Sequence, residues 1–332
     1  MDEECMTSPQ SACDVSVVVP TFNRSTLLRA TLDSLLDQVA PALRYEVVVV
    51  DNDSTDDTAH MVAAYGRSDL IRYFHEPRRG PSHARNRGVK ESKAPIVAFT
   101  DDDCRVTSSW VARLKMMLDR HGDVDCIGGS ALPEWPCEPP AWLTTAHWGP
   151  LGLLDYGPRP VRTDTHRLCL LTANMALRRS AVERVGGFDQ VYLRCQDHEL
   201  QIRLWEAGCR CLYDPELVVI APVETGRISK DYVRHWYRQT ATYHAKMSPK
   251  VVFELPDNGH SILNAPRFLY RRLAEETAAW VADLCRRRLT TAFLHETRVQ
   301  YVVAYLKERW KLRRTSGRQG HSPSVLPSDM RV

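Results

Sequence analysis

Two short runs of β-branched residues, Val15-Ser16-Val17-Val18-Val19 and Glu46-Val47-Val48-Val49-Val50, do most to constrain the fold. Each is too short for a helix. Near-continuous apolar runs of this kind are what strands buried on both faces of a parallel sheet require. Residues 70–74 and 95–100 read as two further strands. Helical periodicity fills the gaps: Leu28, Leu32, Leu35, Leu36 and Val39 recur on one face, and residues 55–65, 82–91 and 108–121 follow the second, third and fourth strands. This alternation predicts a mostly parallel central sheet flanked by helices, with right-handed crossovers.

The periodicity stops at residue 130. From there to residue 160 prolines crowd in with Trp135, Trp142 and Trp148, which reads as an irregular insertion. Structure is expected to resume at 167–177, with helices at 180–185 and 197–207 and strands at 209–213 and 217–220. Residues 229–245 read as a helix, and two more helical stretches lie between 266 and 312. The expected organisation is an N-terminal tail (1–14) and a catalytic domain (15–228), then a helical extension (229–314) and a disordered tail (315–332). Within the domain, a nucleotide-binding half (15–130) and an acceptor half (167–228) flank the insertion (131–166).

At 332 residues, 43% hydrophobic and 26% charged, the chain can bury a real core, which excludes collagen-like, largely disordered and disulfide-scaffold classes. No apolar run approaches the roughly 18 residues of a spanning helix. Asp2, Glu3 and Glu4 stand where a signal peptide carries lysines, so a cytoplasmic location is expected, with the ten cysteines reduced. Cys209 and Cys211 lack the spacing of a zinc site. The net charge of +3 is uneven: residues 266–318 hold thirteen Lys/Arg against five Asp/Glu, a net of +8, which leaves −5 for the rest. Attraction to acidic partners therefore belongs to the C-terminal stretch.

In an open parallel sheet, ligands sit beyond the carboxyl ends of the strands. Those ends are all polar here: Pro20-Thr21-Phe22-Asn23-Arg24, Asp51-Asn52-Asp53-Ser54, Gly80 with Arg85 and Asn86, and Asp101-Asp102-Asp103. Three adjacent carboxylates repel one another, and a divalent cation or bound ligand offsets that charge. The bland alternative, capping of the next helix, is weakened because that helix starts several residues later. Neither a GxGxxG nor a GxxxxGK[ST] loop is present, which counts against a dinucleotide dehydrogenase and a P-loop kinase.

The segments VSVVVPTFNR, EVVVVDNDSTDD, GPSHARNRGV, FTDDDC, TANMALRRSAVERVGGFD and CQDHELQIRLWEAG resemble, in order, the motifs of family-2 glycosyltransferases, inverting enzymes of the α/β GT-A (nucleotide-diphospho-sugar transferase) fold. The resemblance covers about residues 15–226. It implies a nucleotide-binding set of Pro20, Thr21, Phe22, Arg24, Asp51, Asn52, Arg85, Asp101 and Asp102. It further implies a DxD pair of Asp101 and Asp103, with Mg²⁺ or Mn²⁺ on Asp103, and Asp197 as the base that takes the acceptor's proton. Asp197 also precedes a helix, where capping alone is worth about 0.5–2 kcal/mol. Asn174, Gly187, Gln196 and Trp236 are the implied sugar and acceptor contacts, although Trp236 reads equally as helix packing.

The sequence departs from the family pattern twice. Gln196 stands where the family usually has Glu, and Ala221 where many relatives have a His after the last strand. The second change leaves either a metal shell completed by another group or water, or a weakened metal dependence. The implied function is transfer of a monosaccharide from a nucleotide sugar, expected to be UDP-linked, to a carbohydrate or lipid-linked acceptor hydroxyl in surface polysaccharide or glycolipid assembly. A nucleotidyltransferase and an inactive nucleotide-sugar-binding subunit are the alternatives. No nucleic acid partner is expected. The basic C-terminal helices suggest peripheral contact with a membrane at its cytoplasmic face, against the plainer reading of helices packed with an exposed basic side.

Overall fold

A computed structural model describes residues 13–41, 43–66, 69–166, 168–247, 252 and 261–319. The chain forms two units, one of residues up to Pro140 with Thr144–Ile228, the other of Ala141–Leu143 with the residues from Ser229 on.

In the first unit the expected alternation is realised as β1 (Val15–Thr21), α1 (Ser25–Leu36), β2 (Tyr45–Asp51), α2 (Thr58–Ala63), β3 (Ile71–His75), α3 (Pro81–Glu91) and β4 (Ile96–Phe99). The four strands are parallel in the order β3-β2-β1-β4. Chain direction around β1 fixes where a ligand can sit, because the connections leave to opposite sides of it and open a crevice at its carboxyl end. Val17, Val18, Val48, Val49 and Val97 are fully buried, as a two-sided sheet demands.

Beyond β4 the sheet becomes mixed. The elements are β5 (Arg105–Val106), α4 (Trp110–Arg120), β6 (Cys126–Glu134), β7 (Val161–Arg162), α5 (Thr163–His166), β8 (Met175–Arg178), α6 (Arg179–Arg184), α7 (Gln196–Glu206) and β9 (Cys211–Pro222). The order continues β4-β8-β6-β9-β5, with β7 also on β9. β8 runs antiparallel to β4 and β6, whereas β6 and β9 are parallel. Parallel pairing therefore describes the first four strands. β8 enters after a long excursion and not after a crossover helix, so the handedness rule that favours parallel neighbours does not act on it.

β6 itself is the element the sequence concealed. Residues 126–129 carry no strand signal of their own and 131–134 read as the start of the insertion, yet all lie inside a nine-residue strand. Gly129 is required by packing, because a Cβ there would collide with the Leu217 carbonyl of β9 at a shift in register. The insertion accordingly begins after Glu134. The two strands expected at 209–213 and 217–220 form the single strand β9.

The second unit is helical. α8 (Lys230–His244), α9 (Arg267–Cys285) and α10 (Leu289–Gln319) accompany a small hairpin of β10 (Ser261–Ile262) and β11 (Ala265–Pro266). Ala241, Ala245, Leu269, Val302 and Tyr305 form its core, and Arg234 grips Glu296 with two hydrogen bonds of 2.6 and 3.0 Å. α10 continues to Gln319, so the segment 315–319 expected to be disordered is helical. The rest of that tail and most of the N-terminal one lie outside the described residues. Among the described residues no helix is long and apolar enough to cross a membrane.

Candidate active site

The carboxyl ends of β1, β2 and β4 open on one cleft of about 520 Å³. Pro20, Thr21, Phe22 and Arg24 form one wall, Asn52, Arg79, Gly80 and Arg85 another, and Asp101, Asp102 and Asp103 lie at its floor. The acid triplet is stabilised by cations from two sides. Arg85 Nη2 donates to Asp101 at 3.0 Å, and Arg24 Nη1 donates to Asp103 at 2.8 Å and to Asp102 at 3.3 Å. The Thr21 hydroxyl donates to Asp102 at 2.8 Å. Burial pushes the Asp102 carboxyl up to about 6, with Arg24 opposing the shift and Asp103 adding to it. Burial and then the charge of Asp101 raise Asp103 as well.

Among the described residues no group of three or more His, Cys, Asp or Glu side chains is placed to hold a metal ion. Asp101 and Asp103 bring two carboxylates to the cleft, so a small divalent ion held there would have to take its remaining ligands from phosphate and water. The guanidinium on Asp103 confirms that this spot favours positive charge. Ala221 lines the cleft and offers no ligand.

Arg85 is 5% exposed, and its Nε and Nη1 have no hydrogen-bond partner among the described residues. Buried, unsatisfied guanidinium donors beside a cleft are costly unless an anionic ligand accepts from them. Asn52 shapes the same wall. Its amide donates to the carbonyls of Glu76 at 3.1 Å and Arg78 at 2.7 Å, while its oxygen accepts from Gly80 N at 2.7 Å. Asp51, by contrast, is turned inward: its oxygens accept from Ser54 N at 2.8 Å and the Tyr73 hydroxyl at 2.6 Å, so it holds the loop and does not line the cleft.

Asp197 lies in the first turn of α7, after Cys195 in a left-handed conformation at φ 58°. It accepts from the backbone N–H of its neighbour His198 at 2.9 Å. Burial raises its pKa, the Arg85 charge opposes that rise, and Asp101 adds to it. The charge of Arg85 thus acts on both Asp101, to which it donates, and Asp197, although Asp197 is not among the residues that line the cleft. A carboxylate raised in this way is a stronger base in its ionised form. Beside it, burial lowers the His198 imidazole to about 4, which keeps it neutral. Gln196 Oε1 is buried without a hydrogen-bond partner.

The remaining expected contacts are placed differently. Asn174 is fully buried; it accepts from the Trp110 indole at 2.8 Å and donates to the carbonyls of Ser130 and Leu217, each at 2.8 Å. Its side chain binds β6, β9 and α4 together and faces no cleft. Gly187, at φ 75°, lies where a Cβ would strike the Asn86 side chain, which clamps Phe188 through two 2.8 Å hydrogen bonds. Its carbonyl accepts from Arg203. Trp236 belongs to the second unit, on α8, with its ring edge-on to Tyr237.

Four cleft residues escaped the sequence reading. Arg79 stacks over Phe22 at 4.3 Å and pairs with Asp53 at 3.1 Å. Its position just before α3, at a strand-end loop, was the available signal. Arg227 follows β9 in a segment with no periodicity. Leu151 and Gly152 come from the Pro/Trp insertion, which thereby supplies part of the wall.

The family model for glycosyl transferase family 2 matches residues 16–186. The chain is similar to glycosyltransferase AglE of Haloferax volcanii, 25% identical over 67% of this chain and 74% of that protein. It is 40% identical to validoxylamine A glucosyltransferase of Streptomyces hygroscopicus over 58% of this chain, and spans about half of that relative's length, 52%. In fold it is similar to the mannosyltransferase PcManGT from Pyrobaculum calidifontis, solved in complex with GDP-Man and Mn²⁺. The TM-score is 0.59 at 21% identity, over 92% of this chain and 91% of that one.

Proposed function

Because the chain belongs to glycosyl transferase family 2, and its fold is the GT-A fold, we propose that this cleft binds a nucleotide sugar, UDP-linked, and transfers its monosaccharide to an acceptor hydroxyl with inversion. The acceptor is a carbohydrate or lipid-linked sugar of surface polysaccharide or glycolipid assembly. The observation that carries the proposal is the meeting of three strand ends on one acidic floor, with the buried guanidinium of Arg85 paired to it through Asp101.

Each part of the cleft has work in such a reaction. Phe22 and Arg79 present a flat, cationic edge against which a nucleobase can stack. Arg85 lines the cleft and offers its guanidinium to the diphosphate. Asp197 takes the acceptor's proton as its oxygen attacks the anomeric carbon, so the C–O bond to the diphosphate breaks on the opposite side of the ring. Asp103 and Asp101 would hold the divalent ion, which when bound supplies positive charge against the departing phosphate.

The test is the product. Purified protein with Mg²⁺ or Mn²⁺ and a panel of UDP- and GDP-sugars should release nucleoside diphosphate from one of them. Pyrophosphate release would indicate a nucleotidyltransferase, and binding without any turnover an inactive subunit.

We also propose that the turn between α9 and α10 rests on an anionic lipid surface. Val281, Leu284 and Leu289 are exposed there, around Arg286, Arg287 and Arg288. Arg287 adopts φ 57°, a conformation helix ends usually give to glycine. Apolar side chains ringed by cations suit a headgroup boundary.

A further inference from the structure

The acidic floor carries its own cation. Arg24 reaches it from the loop after β1, with Nη1 on Asp103 and Asp102 and Nη2 on Glu224 at 3.0 Å. Glu224 lies just past β9, and the same oxygen accepts from Arg227 at 2.9 Å. The Asp103 oxygen used by Arg24 is therefore committed to a guanidinium. Ala221 lines this edge without a charge, so the positive charge along it comes from Arg24 and Arg227.

A guanidinium fork pairs as well with phosphate as with carboxylate. Arg24 sits at a half-open edge: its side chain is 33% exposed, against 48% for Glu224, 17% for Asp103 and 9% for Asp102. The Glu224 arm is weak and exchangeable, and the arginine itself stays within reach of solvent. An arriving diphosphate offers the arginine a more highly charged partner, and at the same time offers the ion the oxygens that two carboxylates lack.

We propose that Arg24 is a resident counter-cation of Asp103, which competes with the metal in the free protein and passes to the donor's diphosphate on binding. Metal and nucleotide then load together, each strengthening the other by the same factor. The inference rests on the reading of the cleft as a nucleotide-sugar site with Asp103 on the metal.

Mn²⁺ binding, followed by electron paramagnetic resonance of the free ion, tests this with and without UDP. Without nucleotide, Arg24→Met should bind Mn²⁺ about fivefold more tightly than the wild type, the ratio expected for release of a part-exposed ion pair. Arg24→Lys, which keeps the charge, should stay close to wild type. UDP should tighten Mn²⁺ binding more in the wild type than in Arg24→Met. If the Met variant does not fold, Arg24→Gln takes its place. Mn²⁺ uptake that UDP strengthens but that, without nucleotide, is no tighter in Arg24→Met than in the wild type overturns this inference and leaves the site reading intact. Wild-type protein that takes up no Mn²⁺ even with UDP overturns both.

Discussion

Asp197 and Arg85 divide the chemistry between them. Asp197→Asn keeps the shape and the His198 contact but removes the proton acceptor, so transfer should fall by at least about a hundredfold. UDP binding measured by calorimetry should stay near wild type. Loss of both, or of neither, contradicts the role. Arg85 opposes the burial-driven rise in the Asp197 pKa. In Arg85→Met the acid limb of the kcat–pH profile should therefore move to higher pH, because a base with a raised pKa stays protonated further up the scale. A limb that stays in place would detach Arg85 from the base. Asn174 belongs to the same scale for the opposite reason. Its three buried hydrogen bonds join segments 43 to 64 residues apart, and Asn174→Ala leaves an indole N–H and two carbonyls unsatisfied. The expected cost is about 1–3 kcal/mol in urea unfolding, with the acceptor KM unchanged.

At the scale of elements, the β3–α3 loop is the best-braced part of the cleft. Glu76 is buried, and Arg78 donates to it from Nε at 2.8 Å and from its backbone N–H at 3.0 Å. The Arg78 contact holds the Glu76 carboxyl down at about 2, against an ordinary value of 4.5. A carboxylate depressed in the folded state stabilises above its unfolded pKa and loses that contribution as pH falls toward 2. Glu76→Gln should thus narrow the difference between urea midpoints at pH 6 and pH 3. How much could be read beforehand follows from the same elements. β1, β2, β4 and the acid triplet were legible because burial on both faces and clustered charge leave contiguous signatures. β6 was not, because close approach to β9 selects glycine, which also marks turns. Asp51 was legible as a polar residue at a strand end and Asn174 through the family resemblance, but whether such a side chain faces a ligand or a neighbour depends on partners far away in sequence, Tyr73 and Trp110. Leu151 and Arg227 reach the cleft from stretches with no period to detect.

Across the whole molecule, charge is divided. The body carries the acidic cleft and the C-terminal stretch most of the excess positive charge. If the α9–α10 turn docks on lipid, the full chain should sediment with vesicles containing about a third phosphatidylserine at low salt, and less so as salt screens the contact. Replacing Arg286, Arg287 and Arg288 together by Gln should release it, while soluble-donor hydrolysis continues. No sedimentation of the wild type would remove the idea.

The insertion offers a different consequence. Its contribution to the cleft, Leu151 and Gly152, sits just before a single bridge between Leu154 and Ala131, and is separate in sequence from the carboxylates and arginines that manage charge. Exchanging residues 144–153 for those of a relative should thus re-tailor which sugar is admitted while the energetics of leaving-group departure carry over unaltered, which makes this stretch the natural handle for diversification and for engineering.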